Sequence, residues 1–294
     1  MKKALPYIIL VCVVSWTAAG VAYFYGIRQA TGLAYVLFAA FYMLLPAIFA
    51  MILQMINREP VFRNLSVSFK LNWWFLVALL TPLAIAFATL GVSLLLPNVS
   101  FSGIYEGFLS KLPPEMATIA KQSLSLFPPA ILLIFQVVQA IVAGCTVNAF
   151  FALGEELGWR GYLLKALHGK KFLPAVAFIG TVWGLWHFPL ILMGHNYPEH
   201  PVAGVGMMVV FCILLSPMMT YIVLKSRSVI TAAIFHGTFN AIAGVGSLYV
   251  VGGNDLTCGV AGASGLFILL IFNVFFYIYD RYVKRERVFF APIK

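Results

Sequence analysis

The chain has 294 residues, of which 62% are hydrophobic and only 10% are charged, a composition outside the range of soluble globular domains. Its mean hydropathy is +0.97. The formal net charge of +10 would suit a nucleic-acid-binding protein, but the placement of the basic residues along the chain argues for a membrane protein with no nucleic-acid partner.

Apolar stretches long enough to cross a bilayer core recur from one end of the chain to the other. Eight of them predict transmembrane helices, at residues 5–27, 34–56, 74–96, 130–153, 173–193, 202–224, 229–251 and 261–279. The fourth is the least regular, because helical character continues through Glu155 towards Leu167. No polar stretch is long enough to form a separate soluble domain. We therefore expect an all-α, polytopic membrane bundle of about eight helices, forming a single domain over residues 1–294.

The basic residues give this bundle an orientation. With eight spans and both termini in the cytoplasm, all but three of the 19 Lys and Arg residues lie on the cytoplasmic side, the exceptions being Arg28, Lys111 and Lys121. This asymmetry is the positive-inside rule. It predicts a multi-pass integral protein of the plasma or inner membrane, with the lipid bilayer as a partner. The first apolar stretch continues beyond a typical signal-peptide core, so we expect it to stay uncleaved.

The longest outer connection, residues 98–129, contains a helix-start signal at Pro113, Pro114 and Glu115. We expect an amphipathic helix over residues 114–125 that lies on the membrane surface or serves as a spacer. Of the four cysteines, only Cys258 lies in a predicted outer loop, so no disulfide framework and no cysteine metal site is expected.

Several polar residues fall inside or beside apolar stretches, where they usually mark a functional site. These residues are Glu155, Glu156, Arg160, His187, His236 and Asn240. Counting about 1.5 Å per helical residue, Glu155 is roughly 15 Å above Lys165, His236 roughly 14 Å above Arg227, and His187 roughly 24 Å above Lys171. The three patches are therefore expected to meet.

Helical spacing suggests which of these side chains pair with one another. Glu156 precedes Arg160 by four residues, the better order for an ion pair on one face. Glu155 lies about 100° away from Glu156 around the helix axis, so we do not expect it to pair with Arg160. Each polar patch also has a structural explanation that involves no chemistry. The two glutamates could be solvated at a headgroup boundary, and His187 could be a hydrogen-bonded core histidine. His236 and Asn240 could form an interhelical clasp, with Gly237 allowing close helix approach.

Two chemistries suit this set of residues. In the first, Glu155 and His187 activate water for peptide hydrolysis, while His236 and Asn240 donate hydrogen bonds to the developing oxyanion. In the second, Glu155, His187 and His236 are ligands of a catalytic zinc with an open water position. No HExxH motif is present to require a metal.

The ordered motifs EExxxR, W/FxxxH and HxxxN, here Glu155 to Arg160, Trp183 to His187 and His236 to Asn240, resemble the CPBP family. This family includes the type II CAAX prenyl proteases and the bacteriocin-processing or immunity Abi proteins. The resemblance covers about residues 130–249. It implies that residues 126–250 form the catalytic core, with the N-terminal helices and outer loop in 1–125 and the last helix and basic tail in 251–294.

The resemblance also implies a function for the protein and a role for each site residue. It implies an intramembrane endopeptidase, acting on a peptide or membrane-protein substrate through a cavity open to the cytoplasm. Glu155 would be the essential water-activating residue with His187 as its partner, and His236 and Asn240 would stabilise the oxyanion. Glu156 and Arg160 would support the site, and Trp183, at a position where phenylalanine is also common, would affect packing rather than mechanism. Relatives are described both as metalloproteases and as metal-free glutamate proteases, and the two histidines with a glutamate favour zinc slightly.

Two other functions compete with proteolysis. A non-proteolytic scaffold or immunity protein would have no chemical need for Glu155, His187, His236 and Asn240 together. A proton-coupled transporter would use the glutamate and histidines as a relay, but repeated halves and broken helices, common in transporters, are not evident in the sequence.

Overall fold

The computed structural model describes residues 3–28, 32–102, 105–109 and 112–293. Three residues used in the orientation argument, Lys2, Lys111 and Lys294, lie outside this part of the chain. The helices are α1 Ala4–Phe24, α2 Leu33–Ile56, α3 Val61–Asn64, α4 Trp73–Ser93, α5 Glu106–Leu109, α6 Pro114–Ser125, α7 Pro129–Cys145, α8 Val147–Glu156, α9 Leu164–Ala166, α10 Phe172–Trp186, α11 Phe188–Leu192, α12 Pro201–Ser226, α13 Ile230–Ile242, α14 Val245–Tyr249 and α15 Ala263–Ile278.

Three irregular helical segments and one small sheet complete the fold. The π-helical turns are Leu157–Leu163 and Tyr279–Lys284, and a 3₁₀ turn covers Val288–Phe290. Strands β1 (Ser100–Phe101) and β2 (Val250–Val251) pair antiparallel. The helix expected over residues 114–125 is confirmed as α6, which buries none of its residues.

The predicted polytopic helical bundle is confirmed, although its spans are less continuous than expected. Among the described residues, five helices are long and apolar enough to cross a membrane: α1, α2, α4, α12, and α15 with its terminal π-turn, over Ala263–Lys284. The bent pair α6–α7, which turns by 99°, would provide a sixth. The predicted spans 130–153, 173–193 and 229–251 each consist of two shorter helices.

The first two of these breaks have a local backbone feature. Thr146 separates α7 from α8 with φ −127° and ψ −101°, outside the helical region. His187 separates α10 from α11, and Pro189 follows it. Proline has no N–H to donate to the preceding turn and disfavours helical geometry in the residue before it. Helical structure nevertheless continues past Glu155 through the π-turn and α9, as expected.

Helix α13 lies at the centre of the part of the bundle that holds the polar residues. It packs against α4, α7, α8 and α12. The approach of α13 to α8 depends on Gly237, because a Cβ added there would lie 2.6 Å from the backbone nitrogen of Ala149. The expected close helix contact at this glycine is therefore confirmed, and it brings His236 beside α8.

Candidate active site

The two adjacent glutamates lie at the end of α8 and are buried, with exposed fractions of 2% for Glu155 and 0% for Glu156. They are therefore not solvated at a headgroup boundary. A π-turn begins at Leu157, directly after them. Such turns are rare and are often found at functional sites.

Glu156 and Arg160 form the predicted ion pair. Nη1 of Arg160 donates to both carboxylate oxygens of Glu156 at 3.0 Å, and Nη2 donates to Oγ of Ser216 on α12 at 3.0 Å. The guanidinium also lies over the Trp183 ring, 4.3 Å from its centroid. An arginine cannot discharge by losing its proton, so these contacts explain how the buried cation is accommodated.

Glu155 is held by a different partner. Nε1 of Trp183, on α10, donates to Oε2 of Glu155 at 2.6 Å. The expectation that Trp183 affects only packing was wrong, because phenylalanine has no donor for this hydrogen bond. The carboxylate is thus fixed from a neighbouring helix, while its other oxygen is not used by Trp183.

His187 directly follows α10 and is held by its own helix. Its Nδ1 lies 2.8 Å from the carbonyl oxygen of Trp183. Since a carbonyl can only accept, Nδ1 carries the proton, and in the neutral ring Nε2 is left as an acceptor. A core histidine with one internal hydrogen bond thus also has a nitrogen available for chemistry.

His236 on α13 contacts the supporting pair rather than Glu155. Its Nδ1 lies 2.9 Å from Oε1 of Glu156, so Glu156 joins Arg160 and His236 in one buried network. This contact is the interhelical clasp considered for His236. Asn240, one turn further along α13, is exposed and does not take part in it.

Five of the predicted site residues line a single cavity of about 290 Å³: Glu155, Trp183, His187, His236 and Asn240. The expectation that the three polar patches meet is confirmed. Glu156 and Arg160 do not line this cavity and lie behind it, in contact with Trp183 and His236.

Sequence reasoning missed three polar residues of the site. Ser216 is an uncharged residue in a long apolar helix and carries no motif. His195 and Asn196, in the loop between α11 and α12, line the same cavity. Burial lowers the pKa of His195 to about 4, so its ring is neutral at pH 7. The sequence signal that could have identified His195 and Asn196 is that these polar residues stand together in the short loop after the WxxxH motif.

The zinc site predicted at Glu155, His187 and His236, with an open water position, stays a prediction. In the described part of the chain, the His, Asp and Glu group whose donor atoms all lie within 4.8 Å of one another is Glu199, His200 and Asp255, not Glu155, His187 and His236. Tetrahedral zinc ligands at normal bond lengths are only about 3.4 Å apart.

The group at Glu199, His200 and Asp255 has a structural explanation. The Asp255 carboxylate accepts from the backbone nitrogens of Glu199 and His200 and contacts Nδ1 of His200 at 2.6 Å. It therefore ties the loop before α12 to the loop before α15.

Comparison with known proteins agrees with this geometry. A family model described as Type II CAAX prenyl endopeptidase Rce1-like matches residues 129–242, which include all three motifs. A curated relative, CAAX prenyl protease 2 of Methanococcus maripaludis, is 39% identical over 92 residues. That alignment covers 29% of this chain and 34% of the relative, so the chain spans about a third of the length of the relative that it matches. The segment 129–242, which holds the predicted site residues, is therefore similar to the CAAX proteases of the CPBP group, and the resemblance that the motifs indicated is confirmed.

Proposed function

We propose that this protein is an intramembrane endopeptidase that cleaves a peptide bond in a membrane-associated peptide or protein. The observation that carries the proposal is the meeting of Glu155, His187, His236 and Asn240 in one cavity. The four residues come from three helical regions, and Trp183 and Glu156 hold two of them in place. This positioning is what catalysis of peptide hydrolysis requires.

In the proposed mechanism, Glu155 and His187 activate a water molecule. The Glu155 oxygen that is not bound to Trp183 accepts a proton from the water, and Nε2 of His187 accepts a second hydrogen bond that orients it. The oxygen of the water attacks the carbonyl carbon of the substrate, and its proton passes to Glu155. Glu155 then returns a proton to the leaving amine as the C–N bond breaks.

The developing oxyanion is stabilised by His236 and Asn240. Nδ1 of His236 faces Glu156, so Nε2 donates to the oxyanion when the ring is doubly protonated, while Nδ1 donates to the Glu156 carboxylate. The amide of Asn240 supplies a second donor. Removal of one such donor typically costs about 10²–10³ in rate.

The two glutamates give the sharpest test of this function. Glu155→Gln should abolish cleavage with little effect on thermal stability, because the amide keeps the shape but cannot accept the proton. Glu156→Gln should instead lower stability, because Arg160 loses its buried counter-charge, a change that typically costs about 3–5 kcal/mol.

The measurements are cleavage of a peptide library, followed by intact mass, and thermal unfolding of both purified variants in detergent. Full activity of Glu155→Gln would refute the mechanism. A scaffold or a proton-coupled transporter would leave every peptide intact, in the wild type as well as in the variants.

A further inference from the structure

A cavity of about 1130 Å³ lies outside the proposed catalytic site, and the two spaces share no lining residue within the described part of the chain. It lies where α12 ends, because Val223 and Arg227 are among its lining residues and α12 ends at Ser226. With 26 residues, α12 is about 39 Å long, which exceeds the thickness of a bilayer core of about 30 Å. The end of α12, and with it the cavity, is therefore expected at the level of the lipid headgroups.

The walls of this cavity are held in place by hydrogen bonds between segments that are distant in the sequence. The lining residues come from four stretches of the chain, at residues 64–68, 160–168, 223–227 and 286–293. The backbone N–H of Val229, just after the third stretch, donates to the carbonyl of Ser66 at 2.9 Å. In the last stretch, the N–H of Ile293 donates to the carbonyl of Lys170 at 2.9 Å. The cavity is thus preformed by the fold, as ligand sites usually are.

The lining of the cavity is positively charged. In the described chain it contains the cations Arg160, Lys165, Lys225 and Arg227 and a single acidic side chain, Glu286. Lys225 pairs with Glu286, whereas Lys165 and Arg227 form no ion pair with any residue that the structure describes. Both of these residues are exposed. The cavity therefore presents two cations whose charge is not balanced by a carboxylate in direct contact.

Arg160 adds a buried cation to the same lining. Its side chain is fully buried, and its two Nη atoms donate to Glu156 and Ser216. Its Nε is also buried and has no hydrogen-bond partner among the described residues. Buried N–H groups rarely remain without an acceptor, so the unmet donor of Arg160 favours an oxygen-bearing ligand in the cavity that this residue lines.

The phosphate group of a lipid suits this combination of residues. Guanidinium and ammonium groups bind phosphate oxygens through charge-assisted hydrogen bonds, and basic pockets between transmembrane helices bind the headgroups of acidic lipids. The cavity is larger than a typical small-molecule site of about 300–1,000 Å³, so a free phosphate ion would fill only a small part of it. Its lining also contains apolar residues, among them Leu224, Val288 and Ile293, which suit the glycerol and first methylene groups of a lipid.

We propose that this cavity is a binding site for an acidic phospholipid, with the phosphate group of its headgroup held by Lys165 and Arg227. The apolar part of the lining contacts the glycerol end of the lipid chains. This inference does not rest on the proposed peptidase function, because no described residue of the catalytic cavity lines this site. It also differs from a general attraction between basic loops and anionic lipid, since it requires these two cations rather than the net charge.

Lipid retention by the purified protein tests this site. The full-length protein in detergent is analysed by native mass spectrometry with dioleoyl phosphatidylglycerol, with dioleoyl phosphatidylcholine and with inorganic phosphate. The double variant Lys165→Gln, Arg227→Gln should weaken the binding of phosphatidylglycerol by roughly 10-fold or more, because one hydrogen bond to a charged group is worth about that much in affinity. Thermal unfolding in the absence of lipid checks that these exposed substitutions leave the fold intact.

The matched control is the double variant Arg58→Gln, Lys170→Gln. It removes the same charge from exposed residues that do not line the cavity, and Arg58, like Arg227, has a positive φ. One bound phosphatidylglycerol, weakened in the first variant and kept in the control, supports the site.

Three other results would overturn the inference. Equal weakening in both double variants would show that net charge alone attracts the lipid. Equal binding of phosphatidylcholine, or no binding of any lipid, would show that the cavity does not select an acidic headgroup. Binding of inorganic phosphate, with neither lipid retained, would assign the cavity to a soluble phosphate compound instead of a lipid.

Discussion

Trp183 connects the two parts of the polar site. Its indole N–H binds Glu155, and its ring lies under the guanidinium of Arg160 and against the ring of His236, 5.4 Å away. Its backbone carbonyl fixes the tautomer of His187. One residue thus orients the proposed base directly and contacts the network that holds His236, the proposed oxyanion donor.

Trp183→Phe should therefore lower turnover while the fold is retained. A hydrogen bond to a charged group contributes about 1.5–3 kcal/mol, so its loss predicts a decrease in kcat of roughly 10–100-fold. The measurements are kcat, KM and thermal stability. Trp16→Phe is the control, since Nε1 of Trp16 binds a main-chain carbonyl at Trp186 outside the network. Wild-type kcat in Trp183→Phe would show that Glu155 does not need this donor.

Metal removal decides between the two ways of activating water. In the proposed mechanism Glu155 and His187 activate water without a metal, so wild-type protein purified with phenanthroline should keep full activity and contain no stoichiometric zinc. His236→Ala should then lower turnover by about 10²–10³ without changing the metal content. Loss of zinc and activity together, with recovery on adding zinc, would instead establish a metalloprotease.

The side-chain pair within one helix could be predicted from the sequence, but the hydrogen-bond partners on other helices could not. The Glu156–Arg160 pair follows from four-residue spacing. The partners of Glu155 and Glu156, Trp183 and His236, are 28 and 80 residues distant. Only the packing of the helices brings them together, and apolar periodicity does not specify that packing.

At the scale of elements, the position of the site depends on how closely α13 and α8 approach. His236 and Asn240 lie on α13, and Glu155 and Glu156 end α8, so a change in this distance changes the whole cavity. Apolar length predicted helical structure in these stretches but not the break at Thr146 or the π-turn after Glu156. Both are local backbone departures that leave the hydrophobic pattern unchanged.

Gly237→Ala should separate these two helices. The added methyl would lie 2.6 Å from the nitrogen of Ala149, so the backbones must move apart, and overpacking of this kind costs about 1–3 kcal/mol. We expect reduced thermal stability and a large loss of activity. Gly206→Ala on α12 is the matched control, since its methyl would meet nothing within 4 Å. Equal stability and activity in both variants would contradict the role of Gly237.

At the scale of the whole molecule, the bundle separates two polar spaces. One is a cavity of about 1130 Å³ lined by residues that include Lys165 and Arg227, and the other is the cavity of about 290 Å³ lined by Glu155. Arg160 lines the first and His236 the second, so the ionic network of Arg160, Glu156 and His236 lies between them. A continuous water-filled passage would let ions leak across the membrane, and the buried ion pair of Arg160 and Glu156 interrupts such a passage.

The orientation of the bundle is the last prediction. Reporter fusions after Lys294 and within the outer segment, after Lys121, should report opposite sides of the membrane, with Lys294 in the cytoplasm. The physical reason is the charge distribution, since short loops rich in Lys and Arg are retained on the cytoplasmic side. An alkaline-phosphatase reporter active outside the cytoplasm and a fluorescent reporter that folds inside it make the two measurements independent. The same side for both fusions would contradict an arrangement in which the chain crosses the membrane an odd number of times between Lys121 and Lys294.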